Sequence, residues 1–171
     1  MDMTRNQAST SAARNGSLLL AATDVQDVEV LLAGCDPSTR VVRVTPEADG
    51  ALEMIQALNR FSPRELHLLC HGAPGVLKLG RAWLDAEALV NALAAAKVTK
   101  LQMICFWACD LACGDAGARF LQRVADATGA AVHGASSLVG HHTRGGSWTL
   151  THCAGPKVPR QELSSAPAML A

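Results

Sequence analysis

Neither sign of charge is in excess in this chain: fifteen Lys and Arg residues balance fifteen Asp and Glu residues. With no net field to draw in polyanions or an anionic lipid surface, binding to nucleic acid or to a membrane is not expected. Long apolar runs are missing as well. Ser17-Leu-Leu-Leu-Ala-Ala22 is far too short to span a bilayer, and residues 1–16 are polar with no signal-peptide core. The spacing of a disulfide-stapled protein is also lacking, because Cys35, Cys70, Cys105, Cys109, Cys113 and Cys153 are scattered and mostly lie inside apolar segments. Reduced thiols and a cytoplasmic setting are the expectation. No internal repeat or linker divides the 171 residues, a length suited to one domain, and an apolar share of 49% is enough for a sizeable core.

What is present is an alternation of short strands and helices. Residues 1–16 lack apolar periodicity and read as a disordered arm, residues 17–156 as the folded domain, and residues 157–171 as a tail where the signal fades. Strand Ser17 to Ala22 leads to a helix from about Val25 to Ala33, capped by Asp24 and stopped by Gly34. Strand Thr39 to Val44 precedes a helix of about Ala48 to Arg60 that buries Leu52, Ile55 and Leu58, and strand Glu65 to Cys70 follows. Pro74-Gly75 with alternating Val76 to Leu79 predicts a turn and a small antiparallel addition. Asp85 caps a helix reaching about Ala96, with Leu89, Val90 and Leu93 inward, before strand Leu101 to Trp107. A helix opening at Gly114-Asp115 turns Ala118, Phe120, Leu121 and Val124 to the sheet and closes at Gly129. Strand Ala130 to Ala135 and a last alternating strand, Ser147 to His152, complete an α/β fold with a mostly parallel central sheet.

Two of these strands carry the chemistry. Glu65-Leu-His-Leu-Leu-Cys-His71-Gly72 and Leu101-Gln-Met-Ile-Cys-Phe-Trp-Ala-Cys109-Asp110 are buried-strand patterns, each ending in a reactive side chain and then a turn residue. Active sites of open α/β sheets form beyond the carboxyl ends of strands, so His71 and Cys109 suit a cysteine nucleophile and its base. The N–H groups of Gly72 and Cys109 fit an oxyanion-binding pair, Gly72 permitting close approach of a carbonyl. The plainer alternative is that both are merely polar strand ends. Cys70 and Cys105 read as buried small hydrophobes, Cys70 facing away from His71. Cys113 with His141, His142, His152 or Cys153 has the donors for zinc but no compact ligand pair, and His133 reads as a packed residue.

The blocks Leu66 to Gly80, Trp107-Ala-Cys109-Asp-Leu-Ala, Gly114 to Gly129 and Gly145 to Leu150 resemble a bacterial domain of unassigned function found near the N-terminus of giant repeat-containing surface proteins. Its His-Gly and Cys motifs in turn resemble the caspase-like clan CD of cysteine peptidases, which includes caspases, clostripain, separase and the CHAT peptidases. The resemblance covers about residues 17–155. It implies a caspase-like three-layer sandwich and a hydrolase, a cysteine endopeptidase with His71 and Cys109 as the dyad, a peptide or protein as substrate, and no cofactor or metal. The family domain usually has Ser where this chain has Cys70, and Tyr-Gly-Cys-Asn where it has Trp107-Ala-Cys109-Asp110. Those departures bear on substrate preference.

By the same resemblance Trp107, two residues before the nucleophile, shapes the pocket for the substrate side chain; a core tryptophan at a strand end is the alternative. Asp110 either favours a basic substrate side chain or caps the turn. Ala135, Ser136 and Ser137 border the cleft, where an extended peptide is expected to add beside strand Ala130 to Ala135, gated by the loops Ala73 to Gly80 and Val139 to Gly146. Two other functions remain open: a noncatalytic protein-interaction module of the same fold, and a thiol metal-binding or redox protein.

Overall fold

The computed structural model describes residues 16–97 and 101–156. The expected N-terminal arm, save Gly16, and the whole expected tail 157–171 lie outside the described residues. The chain runs β1 (Ser17–Ala22), α1 (Val28–Ala33), β2 (Arg40–Val44), α2 (Gly50–Phe61), β3 (Glu65–Leu69), β4 (His71–Ala73), β5 (Val76–Leu79), β6 (Ala82–Asp85), α3 (Ala86–Ala95), β7 (Met103–Trp107), α4 (Gly114–Thr128), β8 (Ala131–Gly134) and β9 (His152–Ala154). Six strands form the main sheet in the order β2-β1-β3-β7-β8-β9, parallel except for β9. β4, β5 and β6 make the small antiparallel addition.

The period of two along each strand divides the core into two layers of contact. Leu18, Leu20, Leu66, Leu68, Ile104, Phe106 and Val132 pack on one face against Met54 and Leu58 of α2, Leu89 and Leu93 of α3, and Phe120, Leu121 and Val124 of α4. Their alternates Leu19, Ala21, Leu69, Cys105 and Trp107 pack on the other face with Val28 and Leu32 of α1 and with Leu150. The result is an α/β sandwich. Each buried Leu or Phe contributes about 1.5–3 kcal/mol, and Phe106 and Phe120 add an edge-to-face ring contact at 5.4 Å.

Caps that depend on nearest neighbours appear where the sequence places them. Asp85 accepts the Ala88 N–H at 2.8 Å, while α2, expected from about Ala48, starts at Gly50 because Asp49 caps it by accepting the Leu52 N–H at 3.1 Å. Gly129 closes α4 with a φ of 69°. Four further expectations are corrected. Helix α1 starts at Val28 rather than Val25, and its N-cap Asp27 makes no side-chain cap bond, so Asp24 caps nothing. Leu52 is half exposed because Met54, Ala57 and Leu58 turn the inner face of α2 by one position. Ala118 is exposed on the outer side of α4. The last strand is His152–Ala154, since Trp148 and Leu150 are drawn onto the second core face and leave a single bridge, Val139 to Ser147, in the expected span before His152.

Candidate functional site

The site follows from the register of β3 on β7. Glu65 faces Met103, each later pair keeps the offset to Leu69 and Trp107, and the ladder stops there, two residues short of both His71 and Cys109. The Cys70 N–H donates to Trp107 O at 3.3 Å as the last rung before the chain leaves the sheet into β4. Gly72 is then laid against the neighbouring strand end: a Cβ there would stand 2.5 Å from the Cys109 carbonyl oxygen and 2.9 Å from the Ala108 Cβ. His71 and Cys109 therefore emerge at the same edge of the sheet, beyond adjacent parallel strands.

The Cys109 turn is fixed from two sides. Asp110 takes a left-handed φ of 57°. Its N–H donates to Ser137 O at 3.1 Å, the Ala112 N–H to Ala135 O at 2.9 Å, and the Gly75 N–H of the β4–β5 turn to Leu111 O at 3.0 Å. Among the described residues the Cys109 N–H meets no backbone carbonyl. The half-buried thiol is held by the segment after β8: Sγ accepts the Val139 N–H at 3.3 Å and lies 3.8 Å from Val139 O. Exposed His71 approaches a different group, its Nε2 standing 3.2 Å from Asp24 Oδ1. Lys78 Nζ donates to Asp24 Oδ2 at 3.2 Å. Sequence reasoning treated Asp24 as a helix cap; the signal for another role was an acid just past the end of a strand that neighbours the histidine strand.

The remaining predicted site residues are placed as follows. Trp107 is 1% exposed, packs against Trp148 in the second core face at a ring distance of 6.4 Å, and donates its indole N–H to His67 Nδ1 at 3.2 Å. Those contacts are those of a core tryptophan. Ala135 is buried, Ser136 is half-buried with Oγ 3.5 Å from Thr151 Oγ1, and Ser137 is exposed beside the half-buried Asp110. The edge of β8 expected to receive a peptide is taken: β9 pairs with Val132, His133 and Gly134, while β7 pairs on the other side. A shallow groove of roughly 370 Å³ lined by Pro74, Gly75, Glu87, Arg119 and Arg123 contains neither His71 nor Cys109.

The six cysteines are free and unequal. Burial pushes the Cys70 thiol up to about 12, with the charges of Asp24 and Cys109 adding to the effect. Burial, with Glu65 nearby, pushes Cys105 to about 12. These two thiols stay protonated and inert. His133, pushed down by burial, sits opposite Cys153 of β9. Among the described residues no three His, Cys, Asp or Glu side chains are grouped to hold a metal ion, and no helix is long and apolar enough to cross a membrane.

A comparison with curated proteins finds no match. The profile of a protein family described as a domain of unknown function, DUF4347, matches residues 18–169. That span holds the whole sheet save its first residue, both strand ends that carry His71 and Cys109, and Asp24. The chain belongs to the DUF4347 family.

Proposed function

We propose that the protein is a caspase-like cysteine endopeptidase acting on peptides or proteins in the cytoplasm without a cofactor, with Cys109 as nucleophile and His71 as its base. The observation that carries this reading is the register of β3 on β7, whose adjacent parallel ends lead to His71 and Cys109 two residues on, together with the close seat of Gly72 on the Cys109 carbonyl. In the reaction His71 takes the thiol proton and the sulfur electron pair adds to the scissile carbonyl. The N–H groups of Gly72 and Cys109 receive the oxyanion, and His71 returns the proton to the leaving amine as the C–N bond breaks. Water then cleaves the thioester. Asp110 would adjust side-chain preference only after the Val139 segment moves, since Val139 now covers the sulfur, and Trp107, packed in the second core face, supports the strand end from beneath.

A second reading, a noncatalytic interaction module, is favoured by the same cover and by β9 closing the β8 edge. Profiling a diverse peptide library with wild type and Cys109→Ala, alongside labelling by peptide-based thiol probes, separates the two. Weak hydrolysis abolished in Cys109→Ala is expected. Hydrolysis undiminished in that variant eliminates the nucleophile, and none in either protein selects the interaction module.

A further inference from the structure

Three strands that are neighbours in the sheet, β1, β3 and β7, lead at one edge to Asp24, His71 and Cys109 in turn. Asp24 offers one carboxylate oxygen to each of two nitrogen groups: Oδ1 is 3.2 Å from His71 Nε2 and Oδ2 is 3.2 Å from Lys78 Nζ. Lys78 is itself the cross-strand partner of His71 on the β4–β5 pair. Imidazole, carboxylate and ammonium thus form a closed set hung on three elements. Backbone bonds on either side hold the acid in place, from the Thr23 N–H to Val44 O at 2.9 Å and from the Val25 N–H to Ala22 O at 3.2 Å. No helix cap competes for its oxygens, because the N-cap of α1 is Asp27, three residues later.

We infer that Asp24 is a positioning residue for His71: it fixes which ring nitrogen carries the hydrogen and so leaves Nδ1 to exchange a proton with Cys109. The inference rests on the peptidase reading above. A carboxylate only accepts hydrogen bonds, so the nitrogen within reach of it must carry the hydrogen, and the neutral ring is the Nε2–H form with a lone pair on Nδ1. When the Cys109 proton moves to Nδ1 its electron pair stays on sulfur, and the imidazolium so formed lies against a carboxylate already in place. The proton later leaves Nδ1 for the departing amine, restoring the neutral ring. Lys78 holds the second oxygen and keeps the carboxylate from turning away. Other charged or titratable groups on the surrounding elements are Asp27, paired with Arg144 at 3.6 Å, and Asp110 beside Cys109, with the buried Cys70 thiol behind them.

The test reads the ring directly by ¹⁵N NMR of imidazole-labelled protein, with His71 assigned from a His71→Gln spectrum. Wild type is expected to show the Nε2–H form of the neutral ring, Asp24→Ala a mixture of both forms, and Lys78→Met, which leaves the Asp24 carboxylate held at one oxygen only, a smaller shift toward that mixture. In parallel, Asp24→Ala lowers kcat for peptide hydrolysis about 10²-fold or more with little change in KM, the range of a misplaced general base. Asp24→Glu restores part of it, and iodoacetamide modification of Cys109 slows in the same order. Isosteric Asp24→Asn removes the charge and turns one acceptor oxygen into an N–H donor, and it serves if the Ala variant does not fold; a smaller fall in kcat is expected. Unchanged thermal midpoints would separate these effects from a structural role. A ring form indifferent to Asp24→Ala, while hydrolysis through Cys109 proceeds, overturns the assignment. No hydrolysis in any protein, while ring form and alkylation follow Asp24, overturns the peptidase reading and leaves the assignment of Asp24 standing.

Discussion

Gly72→Ala puts the close approach of the two strand ends to a quantitative test. The backbone there is not left-handed, so an alanine meets no conformational penalty of its own. Its methyl group, however, would stand 2.5 Å from Cys109 O and 2.9 Å from Ala108 Cβ. Non-bonded heavy atoms settle at about 3.5–4.0 Å, so β4 and the Cys109 turn must part by roughly 1 Å. Overpacking of this kind costs about 1–3 kcal/mol. Loss of glycine freedom in the unfolded chain returns about 0.4–1 kcal/mol, leaving a net destabilisation of ~1–2 kcal/mol. For a chain of this size that lowers the thermal midpoint by about 2–8 °C. The same displacement separates His71 from Cys109 and is worth up to about 10²-fold in the rate of any reaction that uses both. Calorimetry and the iodoacetamide rate at Cys109 are the assays. Gly129→Ala is the control, because Gly129 has a φ of 69° and open space around it. It should lose about 1–2 kcal/mol through backbone strain and leave the Cys109 rate alone. A Gly72→Ala protein with wild-type midpoint and wild-type Cys109 reactivity would refute the contact.

Strand positions were legible because a parallel strand buried on both faces writes itself as an unbroken apolar run. Leu66, Leu68 and Leu69, or Ile104, Phe106 and Trp107, admit few other readings. The same runs placed His71 and Cys109 at strand ends, and the topology then made those ends adjacent. Asp24 was hidden by a local rule that it also satisfies, since an acid before an apolar periodic stretch looks like a cap. Only the pairing of β1 with β3 shows that it lies at the histidine's edge. For Trp107 the sequence leaves a pocket wall and a core tryptophan both open, and its contacts are those of the second. Its neighbour Cys109 marks a reactive edge, yet the period of two turns the indole down into the second core face, where His67 and Trp148 receive it. The closing strand was misplaced for another reason: the alternation from Ser147 to Leu150 records packing of Trp148 and Leu150 on that face, not a ladder. Burial with period two looks the same in sequence whether or not a partner strand is present.

Two further outcomes follow from the environments of titrating groups. At about pH 8 iodoacetamide should modify Cys109 well before Cys70 or Cys105, read by mass spectrometry of the native protein. A thiol at about 12 is ionised to only about one part in 10⁴ there, and His71→Ala should slow Cys109 alone; equal rates at the three thiols would count against an activated nucleophile. The second outcome concerns acid stability. His67, and after it the Ser17 hydroxyl that donates to Oε2 at 2.7 Å, hold the Glu65 carboxyl below its ordinary value of 4.5 against the opposing pull of partial burial. A carboxyl whose folded value is depressed binds its proton more readily in the unfolded chain, so its contribution is present above that ordinary value and drains away as the pH falls through the folded one. Urea midpoints measured from neutral pH down to about pH 3 should therefore decline more steeply for wild type than for Glu65→Gln, whose amide cannot titrate. Parallel declines in the two proteins would show that the Ser17, Glu65 and His67 contacts do not set the acid limb.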